Sequence, residues 1–512
     1  MKFSSYRAKN GDELLYVGTP DVNRLDQLAE GPGDLWHSSL DQGFKNAFKE
    51  VVYQTAVFFM FSNDFDSQEQ SVSWRINPDA FIVRSSVWEQ TQGFDQDYAN
   101  KKTSALDFGF NFLRYHGMTP LYVKGLFAEQ PNIPEFKIAI QDRYMFFRKN
   151  FKIDHSIYML WRKGFWRLSE LSAYFRSRVV QRNNKREDIL PRKLRPLMGS
   201  PRVSYIIPTM FRQQYTRQLL EDLENQTFKP YEVIIIDATP ESERRDNIYL
   251  ARDFSFQLTV KWQTSKGSCR ARNEAISLST GDYVVFGDDD IRIPPEFIEN
   301  HIRLLQTYGA EACNGLDIRA DHPQQGLQDL MHKLDTLGQK RWKVGAAQCF
   351  SNANSCVSRK IIQELGGNDV NFDGGYGEDS DFGFSIFKFG YVVLHNPFSA
   401  NLHLKPPSGG YRFWGAQARL LGKKRKSQPW ELEHPVKWIQ PVPSPTVMYG
   451  LLKNNTSEQL KEYKIKYFIN YFKGVSWYLL PLRIMNLPYK MAQYRRSVFY
   501  ATHLMNRGKQ LK

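Results

Sequence analysis

Residues 283–290 read Tyr-Val-Val-Phe-Gly-Asp-Asp-Asp, an apolar run that ends abruptly in three carboxylates. A short run that is apolar on both faces specifies a strand buried inside a sheet. Gly287 and the acids after it mark where that strand leaves the core. Two similar runs come earlier, at 203–207 and 233–236, and they close on Pro208-Thr209 and on Asp237. Helical stretches at 215–225 and around 271–278 separate the three runs. Strands alternating with helices make βαβ units and a mostly parallel sheet, so the fold class is α/β. Ligands of such sheets bind at the carboxyl ends of the strands.

A chain of 512 residues exceeds the reach of one hydrophobic core, so several folded units are expected. Segment 178–200 is polar, basic and broken by prolines, the composition of a linker. It separates an N-terminal module, 1–177, from the α/β domain, 201–410, with a helical C-terminal region, 411–512, to follow. That last region carries 19 Lys and Arg against 4 Asp and Glu, which is the whole of the net charge of +15. Aromatics interleave with its bases at 467–473 and 477–483. Its helices either pack their apolar faces on the α/β domain or lie flat on an anionic membrane surface. No nucleic-acid motif accompanies the charge, so no nucleic acid is expected as a partner.

Cys269, Cys313, Cys349 and Cys356 lack CxxC spacing, which suggests neither a zinc site nor a disulfide scaffold. The first residues lack the apolar core of a signal peptide. The run 51–61 contains Gln54 and is shorter than the ~20 residues of a spanning helix, so a buried helix is expected there. A cytoplasmic location follows, with contact to the inner membrane face through 411–512 left open.

An internal repeat appears at an offset of 274. Val83, Gly93, Asp95 and Asp107-Phe108-Gly109-Phe110 match Val357, Gly367, Asp369 and Asp381-Phe382-Gly383-Phe384. Chance similarity between two strand-turn-helix stretches is the alternative, and the contiguous DFGF argues against it.

Asp288-Asp289-Asp290 at a strand end repel one another unless a cation sits among them. Two of these carboxylates can grip Mn2+ or Mg2+, which keeps positions open for diphosphate oxygens; an acidic turn without a ligand is the alternative. Gly374-Gly375-Tyr376-Gly377-Glu378-Asp379-Ser380-Asp381 joins glycines that allow close approach to adjacent carboxylates, one of which can act as a general base. A calcium-like loop or a helix N-cap would look the same. His403, after the apolar run 391–394, either completes a metal shell or is a structural histidine. Pro406-Pro407-Ser408-Gly409-Gly410 suits a mobile flap.

In this order, the motifs resemble the catalytic domain of family 2 glycosyltransferases, which have the GT-A fold. GYGEDSD is similar to a segment of galactosyltransferases and bacterial chondroitin polymerases. The resemblance covers about 210 of 512 residues. It implies an opening turn at Pro208-Thr209, a nucleoside contact at Asp237, and a segment with Lys266 and Gly267 that places Arg272 near the nucleotide. Asp288 and Asp290 would be the metal ligands of a DxD motif, with Asp289 between them beside the nucleotide-sugar and His403 as third ligand. Asp379 would be the base and Glu378 its acceptor-binding neighbour. Asp237 is followed by Ala238-Thr239-Pro240 rather than a second acid, and Tyr376 replaces the usual tryptophan.

Residues 75–127 then resemble the acceptor half of another GT-A domain, with Ser104 and Ala105 in place of the acids. Asp64-Phe65-Asp66 lies too close to that repeat to be its metal motif. The N-terminal module is therefore expected to be a degenerate GT-A-like unit for acceptor binding, chain packing or homo-oligomer formation. The expected function is inverting, metal-dependent transfer of a hexose or N-acetylhexosamine from a nucleotide-sugar, a UDP-sugar first among donors, to a glycan or lipid-linked acceptor in surface polysaccharide biosynthesis. A catalytically silent carbohydrate-binding or scaffold protein and a nucleotidyltransferase are the alternatives.

Overall fold

The computed structural model describes residues 2–54, 60–129, 137–182, 189–249, 253–263, 266–347, 349–411, 428–431 and 433–512. The N-terminal module comprises β1 (Ser4–Arg7), β2 (Glu13–Val17), α1 (Leu25–Glu30), β3 (Leu35–His37), β4 (Gln70–Val72), β5 (Phe81–Arg84), α2 (Ser85–Trp88), α3 (Lys101–Arg114) and β6 (Pro120–Val123). Helices α4 (Ile140–Asn150), α5 (Ile153–Lys163) and α6 (Leu168–Ser177) follow. Its strands form one sheet in the order β1-β2-β5-β3-β6-β4.

The second sheet is built from β7 (Val203–Thr209), α7 (Gln213–Glu224), β8 (Glu232–Asp237), β9 (Gln257–Trp262), α8 (Ser268–Leu278), β10 (Tyr283–Gly287), β11 (Ile291–Arg292) and α9 (Phe297–Tyr308). It continues with β12 (Ala312–Arg319), α10 (Leu327–Leu337), β13 (Asn354–Ser358), α11 (Arg359–Leu365), α12 (Glu378–Lys388) and β14 (Val393–His403). The strand order is β11-β14-β12-β13-β10-β7-β8-β9. Strands β9, β8, β7 and β10 are parallel, whereas β13 enters antiparallel to both β10 and β12. The sheet is thus a GT-A-like mixed sheet flanked by helices, mostly parallel as the βαβ pattern implied, with β12 and β14 also parallel and only the pairings of β13 and β11 antiparallel. Side chains of β7 alternate between two cores: Val203, Tyr205 and Ile207 pack with Leu219 and Leu223, and Ile206 packs with Ala271, Ala275 and Phe286. That two-sided burial is why its sequence is continuously apolar.

The repeat is present in the packing. β3 is antiparallel to β5 and parallel to β6, and β12 is antiparallel to β13 and parallel to β14. Helices α3 and α12 carry the two DFGF segments. A Lys-Asn pair closes each copy. Asn150 Nδ2 donates to Asp107 at 2.5 Å and Lys149 pairs with Asp95. Asn454 Nδ2 donates to Asp381 at 3.1 Å and Lys453 pairs with Asp369 at 3.0 Å. Asn454 ends α13 (Pro445–Asn454). The packing of the α/β unit therefore extends past the compositional boundary at residue 410 into α13; residues 412–427 lie outside the described ones.

Two more expectations change. In the segment read as a linker, Arg192 donates to Gly33 O at 2.7 Å, and its backbone N–H donates to Tyr308 Oη at 3.0 Å. Buried Ile189 and Leu194 add to the same packing, so 189–200 is a strap between the modules rather than a free linker. The helix expected over 51–61 is instead short 3-10 turns at Lys49–Tyr53 and Met60–Ser62, and 55–59 lie outside the described residues. Asp64 is buried against Arg75 at 3.0 Å, a structural ion pair. The chain ends in α14 (Ser457–Phe472), α15 (Leu480–Met485) and α16 (Leu487–Arg507). No helix among the described residues is long and apolar enough to cross a membrane.

Candidate active site

The carboxyl ends of β7 and β10 open into a cavity of about 620 Å³ whose wall includes Pro208, Arg272, Asp288, Asp289, Asp290, Glu378, Asp379 and His403. Pairing of β11 with β14 sets Ile291 opposite His403, and Leu404 N–H donates to Asp290 O at 2.8 Å. These two links bring the histidine to the acidic turn across more than a hundred residues of sequence. One ligand atom each from Asp288, Asp290 and His403 lies within 4.8 Å of the others. His403 Nε2 faces Asp290 Oδ1 at 3.4 Å, and Nδ1 faces Asp317 Oδ1 at 3.2 Å, so Asp317 on β12 fixes the ring.

Arg212, just ahead of α7, meets Asp289 Oδ1 at 3.0 Å and Asp290 Oδ2 at 2.9 Å. Thr209 donates to Asp289 Oδ2 at 2.8 Å. Burial pushes Asp289 up to about 7, although Arg212 works against it. For Asp290 the cost of burial is outweighed by the hydrogen bond from His403 and the charge of Arg212, which hold it below its ordinary value. Burial likewise disfavours the His403 imidazolium, but Asp290 and Asp317 prevail and push it up to about 10. Arg212 and His403 thus set two positive charges among the carboxylates. A divalent ion carries the same charge, and its binding would leave His403 neutral with a ring nitrogen to offer. Two carboxylates and an imidazole fit Mn2+, and carboxylates alone serve Mg2+.

Asp379 opens the first turn of α12 after Gly377, whose φ of +107° is left-handed backbone that favours glycine. The loop ahead of it is fixed by α13: Tyr376 N–H donates to Thr446 Oγ1 at 2.9 Å, and a Cβ on Gly375 would meet that oxygen at 2.3 Å. Asp379 keeps only part of its surface open to the cavity. Burial pushes it up to about 7, with neighbouring Glu378 adding to the shift and Arg272 opposing it. Arg272 Nη2 donates to Asp288 Oδ1 at 2.8 Å, and its Nε and Nη1 are buried with no hydrogen-bond partner among the described residues. Those two donors can meet an anionic ligand oxygen.

Four expected contacts are not brought to the cavity wall, Thr209 among them, which is fully buried against Asp289. Asp237 is fully buried and accepts from Thr239 N–H and Tyr249 Oη, both at 2.8 Å. Gly267 caps α8 against Asp373, where a Cβ would lie 2.1 Å from Asp373 Oδ2. Lys266 is half-buried beside it and is absent from the lining. The structure adds residues that the motifs did not signal. Asp317, Arg319, Lys405 and Tyr411 join the wall, and buried Asp373, pushed up to about 6, holds the start of α8 through Cys269 N–H at 2.7 Å. Phe211 and Lys405, both non-glycine residues with positive φ, flank the site. The Ser408-Gly409-Gly410 loop lies over it: Gly410 N–H donates to Met210 O at 2.7 Å, and Arg212 Nε donates to Ser408 O at 3.2 Å. A second cavity of about 410 Å³, walled in part by Thr239 and Arg245, shares Arg212, Gly409 and Gly410 with the first.

Residues 204–366 match the model of glycosyl transferase family 2. An uncharacterized glycosyltransferase of Haemophilus influenzae is 31% identical over 105 residues, 20% of this chain and 34% of the relative. Glycosyltransferase GlyA of Streptococcus pneumoniae is 22% identical over 119 residues, 23% of this chain and 17% of the relative. The chain thus spans about a third or less of the length of these curated relatives. Among solved structures, the mannosyltransferase PcManGT from Pyrobaculum calidifontis in complex with GDP-Man and Mn2+ is 18% identical, covers 61% of this chain and 89% of its own, and has a TM-score of 0.34. S. aureus TarS 1-349 in complex with UDP-GlcNAc is 15% identical, covers 61% and 93%, and has a TM-score of 0.36. The segment 204–366 of this chain is a family 2 glycosyltransferase domain.

Proposed function

We propose that this chain transfers a hexose or N-acetylhexosamine from a nucleotide diphosphate donor, a UDP-sugar in the first instance, to a hydroxyl of a glycan or lipid-linked acceptor, with inversion at the anomeric carbon. The observation that carries the proposal is the convergence of Asp288, Asp290, His403, Glu378 and Asp379 in one cavity at the strand ends. Asp379 takes the proton of the attacking hydroxyl, for which its position near 7 is suited. Glu378 holds the acceptor beside it. Arg272 offers Nε and Nη1 to the diphosphate. Asp288, Asp290 and His403 would hold Mn2+ or Mg2+, which supplies charge neutralisation for the departing nucleoside diphosphate. The 408–410 loop, latched through Arg212, excludes water from the donor. The adjoining cavity near Thr239 is the place for the nucleoside, with Asp237 supporting Thr239 from behind.

A silent binding protein would have no need to keep a base, a metal set and an arginine with unpaired donors in one cavity. Nucleotidyl transfer is disfavoured because adjacent carboxylates at α12 suit removal of a hydroxyl proton. Analysis of the products tests the proposal: nucleoside diphosphate with an inverted glycoside is expected, and pyrophosphate would overturn it.

A further inference from the structure

The N-terminal module and the C-terminal region each carry an exposed apolar surface, and a buried contact joins α5 of the one to α14 of the other. On α5, Ile153, Ile157 and Trp161 recur every fourth residue and stay about half exposed, while Met159 and Leu160 are buried. The chain beyond them exposes Trp166 at 70% and Leu168 at 81%. In the C-terminal region, Trp477 at 81% and Met485 at 78% bracket Leu482 and Ile484, which are also open. The contact between the surfaces is Glu462 of α14, which accepts from Tyr158 Oη and Arg162 Nη2, both at 2.6 Å; Lys466 Nζ donates to Val52 O at 2.9 Å. Charge on both sides is mainly positive. Residues 463–512 hold ten Lys and Arg and no Asp or Glu, and 153–182 hold six Lys and Arg with two acids, exposed Asp154 and Glu170, the latter buried against Arg143; of the six, Arg162 and Lys163 pair with Glu462 and Glu50.

We infer that α5, the α5–α6 turn and the 477–485 segment form one docking face for an anionic lipid bilayer. Bulky side chains ringed by cations on short helices bury at the headgroup boundary and gain from anionic lipid. Aliphatic Leu168, Leu482 and Ile484 cannot stack on bases, which disfavours a single-stranded nucleic acid. A second copy of this face would oppose cation to cation. Not all of the C-terminal aromatics belong to the face: Tyr467 and Phe468 pack on Tyr494 of α16, with ring centroids 5.3 and 5.6 Å away.

The test is flotation of the full chain with vesicles of phosphatidylcholine alone or with phosphatidylglycerol added. Binding to the anionic vesicles that weakens with salt is expected. Trp166→Ala with Leu168→Glu, and separately Trp477→Ala with Met485→Glu, should each lower partitioning roughly tenfold or more. Met331→Glu, at an exposed residue of α10, should leave it unchanged. All the replaced side chains are exposed, and unchanged circular dichroism checks the fold. No flotation with anionic vesicles, full flotation of either double variant, or a dimer that the same variants split would overturn the inference. Nucleoside diphosphate release from the same preparations reads the transferase proposal independently.

Discussion

Replacing Asp379 by Asn keeps the side chain's size and removes the group assigned to take the acceptor proton. A positioned general base contributes roughly 10²–10⁴-fold to rate, about 3–5 kcal/mol, so kcat should fall by that factor while donor binding stays near its parental value. The parent's kcat/KM should rise with pH along a limb near 7, because burial beside Glu378 holds the carboxyl there, and the residual rate of the variant should lose that limb. Stability carries a second signature with a defined sign. The folded-state carboxyl is raised above its ordinary value of 3.8, so the unfolded chain ionises first, and stability is lost as pH climbs from about 4 through 7. Asparagine escapes the loss. The gap caps the effect at roughly 4 kcal/mol, and the face open to the cavity lowers it to roughly 2. The variant should therefore melt above the parent at pH 8 and level with it near pH 4. Turnover within a factor of a few of the parent, or a melting difference that does not move with pH, would refute the assignment of Asp379 as the buried base.

Asp290→Ala should raise the Kd for donor measured with Mn2+ and leave binding measured with chelator little changed; equal loss in both conditions would contradict a metal role. Arg272→Met should cost about 1.5–3 kcal/mol in nucleoside diphosphate affinity by calorimetry, since Nε and Nη1 have no partner but a ligand among the described residues. Asp369→Ala leaves Tyr449 without its acceptor at 2.7 Å and removes one of the two carboxylates that Lys453 meets, Asp381 remaining at 2.8 Å, and should lower stability by about 1–3 kcal/mol in denaturant titration.

The parallel strands β7, β8 and β10 were legible because strands buried on both faces leave an uninterrupted apolar signal at 203–207, 233–236 and 283–286. The edge strand β9 was not, since Gln257 and Lys261 face solvent and break that signal. The repeat was legible in its contiguous DFGF segment. Its closing Lys-Asn pairs were not, because 54 residues separate Lys149 from Asp95 and 84 separate Lys453 from Asp369. In the site, Asp288, Asp290 and Asp379 could be found because clustered acids beside glycines are unusual in a packed chain. Arg212, Asp317 and Asp373 act as single charges set by the strand register and a helix start, and a lone Arg or Asp in sequence looks like any surface residue. The hydrogen bonds of Asp237 were not legible either: its place at the end of β8 fits a nucleoside contact, and only the fold brings Thr239 N–H and Tyr249 Oη to its oxygens.

The most direct measurement is nucleoside diphosphate release from UDP-, GDP- and dTDP-sugars, in Mn2+, Mg2+ or chelator, with Asp379→Asn in parallel. Turnover of one donor that needs the metal and disappears in the variant is the predicted result. No release from any donor, with no nucleotide bound, would contradict sugar transfer and leave a binding protein built on a glycosyltransferase fold.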